Sequence, residues 1–544
     1  MQPSAEIGRR APRRRRTPAT AQTLGLLLDR APGAPPLYRQ IRDGVRSAVL
    51  TGALGAGTRL PPERELAPAL GVNRTTITRA YQELAADGVV EARPGRGTVI
   101  CAPPPARGEP GGAGRDAAWP GATLEPTWLL GLSAFGHGGL GPDPGLLRDL
   151  TALSARDDVI SFAVGTPGPD LVPLDRLQDA LQVGLARAGA AALGYGPVEG
   201  LEALRLAIAA RMATRGVTVT PDEILVLSGA TQGLALAARA LIEPGDDVVV
   251  EAPTYVGTLQ TFGAAGARLI GVPVDEDGLR VDLLEPILAR RRVRLIIVQP
   301  SQHNPTGATL VPARRERLLA LARRHGVPIL EDDAYGELWH EGPDPQPLKA
   351  LDRGGLVLHL STFSKTVAPG LRVGWLAAPA PVVARLALAK QFFDLNTGAL
   401  PQIALIGFLA SGDYDRHLGH VRTAYAQRRA AMLAGLRPAT PYLQVSPGSR
   451  GGFYLWCRLA AGRRARVLAA AAGRVGVALL AGEAFYPPGM AGGDAGQDRI
   501  RLSFAGHTPA TIAEGLSRLI PLLERLPEMS GVAEERARGL RPVV

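Results

Sequence analysis

HLSTFSKTVAPGLRVGW, residues 359–375, places a lysine, Lys365, directly after a hydroxyl-rich turn and an arginine, Arg372, seven positions later. The 544-residue chain has only three lysines, Lys349, Lys365 and Lys390, and takes the rest of its 61 basic side chains as arginine. A guanidinium stays protonated and forms no imine, whereas a desolvated amine can lose its proton and attack a carbonyl. Thr362 and Ser364 flank the lysine, and with Arg372 they make a set able to hold a dianionic phosphate. An imine-forming lysine beside a phosphate site points to pyridoxal 5'-phosphate (PLP). Taken alone, the stretch reads equally well as a buried loop with one snorkelling lysine, so the weight falls on the rest of the chain.

From about residue 126, short Val/Ile/Leu runs alternate with Ala/Leu/Arg-rich helical stretches. This is the pattern of an α/β domain, a mostly parallel sheet with helices on both faces. Strands are expected at 224–227, 247–251, 268–272, 295–299, 328–331, 357–360 and 373–377, with ligands gathering at their carboxyl ends. Ser228-Gly229-Ala230-Thr231-Gln232 follows the first and opens an apolar helix, whose N–H groups suit a phosphate. Tyr255 follows the second strand, Asn304-Pro305-Thr306-Gly307 the fourth, and Asp332-Asp333-Ala334-Tyr335 the fifth. PLP needs an anion at its pyridine nitrogen and donors at its phenolate oxygen. Asp332 suits the first role, Asn304 and Tyr335 the second, and Tyr255 can lie over the ring. Each residue alone is more often a loop cap or core aromatic. Five such features in this order, each at a strand end, reverse that reading.

The N-terminal part has a different pattern. Residues 1–35 form a basic tail expected to be disordered. Leu37, Ile41, Val45 and Val49 then recur at helical spacing, and LPPERELAPALG gives a second helix with prolines at its start and Gly71 at its end. Asn73 suits the N-cap of a third helix, RTTITRAYQELAADG, with Ile77, Tyr81 and Leu84 on its core face. Two short strands, 89–93 and 98–100, flank the turn Pro94-Gly95-Arg96-Gly97. Three helices and a hairpin make a winged helix-turn-helix over residues 36–101. In that geometry Asn73, Arg74, Thr75, Thr76, Thr78 and Arg79 would face a DNA major groove, with Arg64 approaching from the second helix and Arg96 and Gly97 from the wing. A plain three-helix domain with a solvated basic face is the alternative.

Composition agrees with two kinds of domain. The chain is 46% hydrophobic and 20% charged, enough for one large core and a smaller one. Its net charge is +11, and residues 1–100 hold 16 Arg, no Lys and 8 Asp and Glu, which points to a polyanionic partner for that end. Residues 102–125, rich in glycine and proline, read as a flexible linker. Cys101 and Cys457 are too few for a disulfide framework and lack metal-ligand spacing, so a reducing cytoplasm and no metal are expected. The arginines at 9–16 and the apolar run 23–28 imitate a secretion signal, but Asp29 ends the run too soon. No apolar segment approaches the roughly 20 residues of a membrane helix.

Residues 36–100, including LPPERELAPALGVNRTTITRAYQEL, resemble the GntR family of bacterial transcription regulators. Residues from about 155 to 526 resemble the class I/II aminotransferases, PLP enzymes of fold type I with a smaller α+β C-terminal part; this domain is taken as 126–526 and a tail as 527–544. The resemblance implies that Lys365 forms the imine with PLP and that Asp332 pairs with the ring nitrogen. It assigns Asn304 and Tyr335 to the phenolate oxygen, and Ala230, Thr231, Thr362, Ser364 and Arg372 to the phosphate. Tyr195, in YGPVEGLEALR, matches a tyrosine that reaches the phosphate in the partner subunit of a homodimer. Arg501, in IRLSFA, matches the arginine that grips a substrate carboxylate, helped by Asn304 and by backbone near Gly165. Ala230 departs from the pattern, lacking the hydroxyl often found there.

The combination resembles the MocR regulators. Yet Asn304, Gly451 to Trp456 (GGFYLW) and Arg501 to Ala505 (RLSFA) are enzyme-like, closest to aminoadipate and aromatic aminotransferases. The resemblance therefore implies a PLP-binding DNA-binding regulator that senses PLP or an amino acid. The alternative is an active amino acid:2-oxo acid transaminase with a DNA-binding head. A large domain serving only as a dimerisation scaffold is disfavoured by the intact lysine, aspartate and arginine.

Overall fold

The computed structural model describes residues 28, 30, 36–50, 54, 58–86, 89–93, 97–100, 156, 158–342, 344–490 and 495–536. The expected basic tail apart from Leu28 and Arg30, the linker 102–125, the wing residue Arg96, Cys101 and residues 537–544 lie outside the described residues. The chain divides into two compact units, 1–132 and 133–544.

The first unit has helices α1 (Leu37–Leu50), α2 (Glu63–Leu70) and α3 (Arg74–Ala86), then strands β1 (Val90–Arg93) and β2 (Gly97–Ile100). The strands pair antiparallel, Val90 opposite Ile100 and Arg93 opposite Gly97. Ile41 and Val45 of α1, Leu66 of α2, and Ile77, Tyr81 and Leu84 of α3 bury together with Val90 and Ile100, each fully buried aliphatic contributing roughly 1.5–3 kcal/mol. Gly71 ends α2 in the left-handed region, φ 63°. Pro68 lies inside α2 rather than at its start.

The second unit contains β3 (Ile160–Ser161), β4 (Ile224–Leu227), β5 (Asp247–Ala252), β6 (Arg268–Asp275), β7 (Gly278–Leu279), β8 (Val293–Val298), β9 (Ile329–Asp332), β10 (Val357–Thr362) and β11 (Gly374–Ala377). They are followed by β12 (Leu443–Val445), β13 (Tyr454–Leu459), β14 (Val477–Ala478), β15 (Leu480–Ala481) and β16 (Arg499–Ser503). The main sheet runs β4-β11-β10-β9-β8-β5-β6-β7. β10, β9, β8, β5 and β6 pair in parallel, while β11 is antiparallel to both of its neighbours. Alternation along the strands feeds two cores: Val248, Val250, Leu295 and Ile297 pack on one face, Val249, Ile296 and Val298 on the other. Helices therefore cover both faces, as the uninterrupted apolar runs require.

All seven expected strands are present, with ends moved by up to three residues. One shift matters: Asp332 is the last residue of β9 and not the first beyond it. The smaller C-terminal sheet, β12-β13-β16-β15, is antiparallel. β14 pairs with β3 in parallel, tying the first strand of this unit to its C-terminal part. The last helix, Pro509–Arg536, runs past residue 526, where a tail was expected to begin. Among the described residues no helix is long and apolar enough to cross a membrane.

Candidate functional site

A cavity of about 200 Å³ opens at the carboxyl ends of β4, β5, β8, β9 and β10. Every residue expected to touch cofactor or ligand lines it except Tyr195: Ala230, Thr231, Tyr255, Asn304, Asp332 and Tyr335 from the earlier segments, Thr362, Ser364, Lys365 and Arg372 from the later ones, with Gly165 and Arg501 opposite.

Strand alternation selects one carboxylate from the run Glu331-Asp332-Asp333. Glu331 accepts from His359 Nδ1 at 2.9 Å and from the Leu348 and Lys349 amides, and Asp333 pairs with Arg215 at 2.5 Å. Asp332 lines the cavity, buried, its Oδ1 without a hydrogen-bond partner among the described residues. Burial pushes its pKa up to about 7, aided by Asp333 and Glu251 and opposed by the Ala334 amide and Lys365. Such a group is suited to a buried N–H donor.

Lys365 leaves the end of β10 and donates from Nζ to the Gly165 carbonyl at 2.8 Å. Burial lowers its pKa, Arg501 and Arg372 acting in the same direction and Tyr454 and Asp332 against it. All three lysines are at least partly shielded: Lys349 donates to the Val357 carbonyl and Lys390 to Asp394, so this chain keeps lysine away from open surface.

Where the phosphate was expected, Gly229 has φ 90°, and a Cβ on it would overlap the Arg372 guanidinium. The helix Ala230–Leu241 begins there. Arg372, itself at φ 50°, donates to the Ser228 carbonyl at 3.1 Å. Thr362 Oγ1 lies 2.9 Å from Ser364 Oγ. The Ser228 hydroxyl turns away to Asp394 at 2.7 Å, where Gln232 and the buried Lys390 also bond. That brace, invisible in the sequence because it joins positions 166 apart, takes the Ser228 hydroxyl away from the start of this helix and leaves the backbone N–H groups and Thr231 there. Tyr255 is half-buried beside the cavity, its pKa pushed up to about 12 by burial.

The opposite wall comes from the small sheet. Arg501 donates to Asn304 Oδ1 at 2.8 Å and to the Ala163 carbonyl. Its guanidinium stands 4.2 Å from the Tyr454 ring centroid and 4.9 Å from that of Phe485. Among the described residues no carboxylate lies within ion-pair distance of it, and Nε has no partner. A buried cation held by two neutral oxygens and two ring faces is prepared for an anion. Tyr335 Oη lies 2.8 Å from Tyr454 Oη. Tyr454 was not singled out from the sequence; it is buried in the same core cluster as Phe453 and Leu455 and, unlike them, also lines the cavity. Gln299 was missed too; its side chain accepts from the Asn304 amide at 2.9 Å.

Tyr195 is 89% exposed and lies outside this cavity, on a groove walled by the helices Leu174–Ala188 and Ala399–Ala410. Leu193 and Phe392 are also strongly exposed.

In the first unit, Asn73 Oδ1 accepts from the Thr75 amide at 3.3 Å, capping α3. Arg74, Thr75 and Arg64 are exposed, Thr76 half-buried, and Gly97 exposed at the start of β2. Glu63 of α2, unremarked in the sequence, accepts from Thr78 at 2.9 Å and lies 3.3 Å from Arg74, tying α2 to α3. The Arg79 guanidinium stacks 3.9 Å over the Tyr38 ring of α1.

Residues 37–100 match the bacterial regulatory proteins of the gntR family, and residues 157–519 match aminotransferase class I and II. The uncharacterized HTH-type transcriptional regulator YisV of Bacillus subtilis is 36% identical over 422 residues, 77% of this chain and 84% of that protein. The probable rhizopine catabolism regulatory protein MocR of Rhizobium meliloti is 31% identical over 523 residues, 94% of this chain and 98% of that one. Among solved structures, the α-aminoadipate aminotransferase LysN of Thermus thermophilus, complexed with N-(5'-phosphopyridoxyl)-L-leucine, matches with a TM-score of 0.67 and 33% identity over 73% of this chain and all of that one. The chain belongs to the class I and II aminotransferase family and joins that domain to a gntR-family DNA-binding domain, the organisation of the MocR-type regulators.

Proposed function

We propose that this protein is a PLP-binding transcriptional regulator whose large domain responds to an amino acid and thereby alters the DNA affinity of its winged helix-turn-helix. The observation that carries the ligand half of this reading is the buried, carboxylate-free Arg501 sharing one cavity with Lys365 and the unpartnered Asp332 Oδ1. A domain that sensed only PLP would have no use for a buried cation on the wall opposite Asp332.

The residues present fit the cofactor. Asp332 Oδ1 lacks the donor that a protonated pyridine nitrogen provides, and Lys365 has the lowered basicity that imine formation needs. Ala230, Thr231, Thr362, Ser364 and Arg372 would hold the phosphate, and Asn304 and Tyr335 the phenolate oxygen. When bound, PLP supplies an electron sink that makes the Cα–H of an attached amino acid acidic. Arg501 would orient the ligand's α-carboxylate, and Lys365, once displaced from the cofactor, would carry a proton to or from Cα. The exposure of Thr231, Arg372 and Tyr195 supports a homodimer in which Tyr195 of one protomer covers the phosphate end of the other.

Active transamination is the second reading, favoured by the same Arg501, Asn304 and Lys365 arrangement. One experiment separates the two. Purified holoprotein is mixed with amino acids and followed by absorbance and by operator binding, first alone and then with a 2-oxo acid. A sensor gives a stable spectral change and a shift in DNA affinity. A transaminase forms pyridoxamine 5'-phosphate and returns to the starting spectrum when the 2-oxo acid is added. No spectral response to any amino acid would refute both.

A further inference from the structure

Tyr454 joins the two halves of the cavity. In the β13–β16 pairing Trp456 is opposite Arg501 and Tyr454 opposite Ser503, so Tyr454 is the diagonal neighbour of Arg501. Its ring carries the Arg501 guanidinium at 4.2 Å. At the far end of the ring, the hydroxyl oxygen is 2.8 Å from that of Tyr335, with the two rings meeting edge to face at 74°. Room for this hydroxyl depends on Gly165: a Cβ there would overlap the Tyr454 oxygen. The Gly165 carbonyl is the acceptor for Lys365 Nζ.

A phenol has one proton to donate. Burial raises the Tyr335 pKa well above its ordinary value, so Tyr335 keeps its proton and serves as a donor. If that proton points at a ligand in the cavity, the Tyr335 oxygen can only accept from Tyr454. The hydroxyls then form a directed chain, Tyr454 to Tyr335 to ligand, in which each bond strengthens the next.

We propose that Tyr454 is a positioning residue that donates to Tyr335, aims the Tyr335 proton at the phenolate oxygen of the cofactor, and holds the Arg501 carboxylate grip on the same ring. The assignment rests on the PLP reading above. It makes one side chain the mechanical link between ligand binding at Arg501 and hydrogen bonding at the cofactor. Losing the hydroxyl weakens Tyr335 as a donor, destabilises negative charge on the phenolate oxygen and makes the imine nitrogen more basic.

The test uses full-length holoprotein and the pH midpoint of the visible absorbance of bound PLP. Tyr454→Phe keeps the ring and should raise that midpoint by about 0.5 to 1 pH unit. Tyr454→Leu also removes the ring under Arg501 and should weaken amino-acid affinity about 3- to 30-fold. In a Tyr335→Phe background, Tyr454→Phe should leave the midpoint where Tyr335→Phe alone puts it. An unchanged midpoint in Tyr454→Phe, or an equal shift without Tyr335, would overturn the proposal while leaving PLP binding intact. A wild-type protein that shows no PLP absorbance at all would overturn the cofactor reading and this proposal with it.

Discussion

Arg501 donates to Asn304 Oδ1 at 2.8 Å across 197 residues of sequence. Because a guanidinium only donates, this contact decides which way the amide faces: its oxygen meets Arg501, and its NH2 group is left for another acceptor. In the function proposed above, the bond would orient Asn304 as a donor to the cofactor and couple it to the ligand's carboxylate. Asn304→Ala and Arg501→Ala should therefore be non-additive in amino-acid affinity, with a coupling of roughly 0.5–3 kcal/mol in a double-mutant cycle. Additive losses would mean that the two residues act separately.

Removal of the Lys365 amine leaves neither Lys349 nor Lys390 in the cavity. Lys365→Ala should abolish the borohydride-trapped PLP adduct. Mass spectrometry that found the reduced adduct on another lysine would refute the assignment.

Arg501→Ala should spare PLP binding and weaken the amino-acid response by several kcal/mol, roughly 2–5, as expected when one partner of a desolvated, hydrogen-bonded charge pair is lost. If spectral and DNA responses to every amino acid were unchanged, the domain would sense PLP alone.

Asp332 gives the PLP-free protein a defined pH dependence. Its pKa rises from 3.8 to about 7 on folding, so the native state binds this proton more tightly than the unfolded state. The associated stability is full below about pH 4 and is lost as pH rises through about 7, a change of the order of 4 kcal/mol. Asp332→Asn stays neutral and should flatten the melting temperature between pH 5 and 8 relative to wild type, while weakening PLP binding. Parallel pH profiles for the two proteins would place the proton elsewhere.

Arg74 and Thr78 share Glu63, and Arg74 remains largely exposed. Arg74→Ala should weaken operator binding by about 1–3 kcal/mol if the side chain reads a base. A phosphate contact would instead lower affinity for all sequences and flatten its salt dependence. Retention of specific binding by residues 126–544 alone would refute the assignment of DNA recognition to the first unit.

The sequence alone determined the strand series and the three helices of the DNA-binding unit, and it singled out Lys365, which lines the cavity. Those features are local: apolar runs with period two or three to four, helix caps such as Asn73, and a lysine beside hydroxyls record the environment of each segment within a few residues. What only the tertiary structure decided lies between distant segments. It set which carboxylate of the Glu331-Asp332-Asp333 run faces the cavity, because His359 and Arg215 claim the other two. Asp394 draws the Ser228 hydroxyl away from the start of the helix Ala230–Leu241, Tyr38 holds Arg79, and the strand pairing brings Tyr454 to both Arg501 and Tyr335. A side chain's chemistry can be read from its letter. The atom that satisfies or orphans it is supplied by chain folding back from as far as 338 residues away, as the Ala163 carbonyl does for Arg501, and no local pattern carries that information.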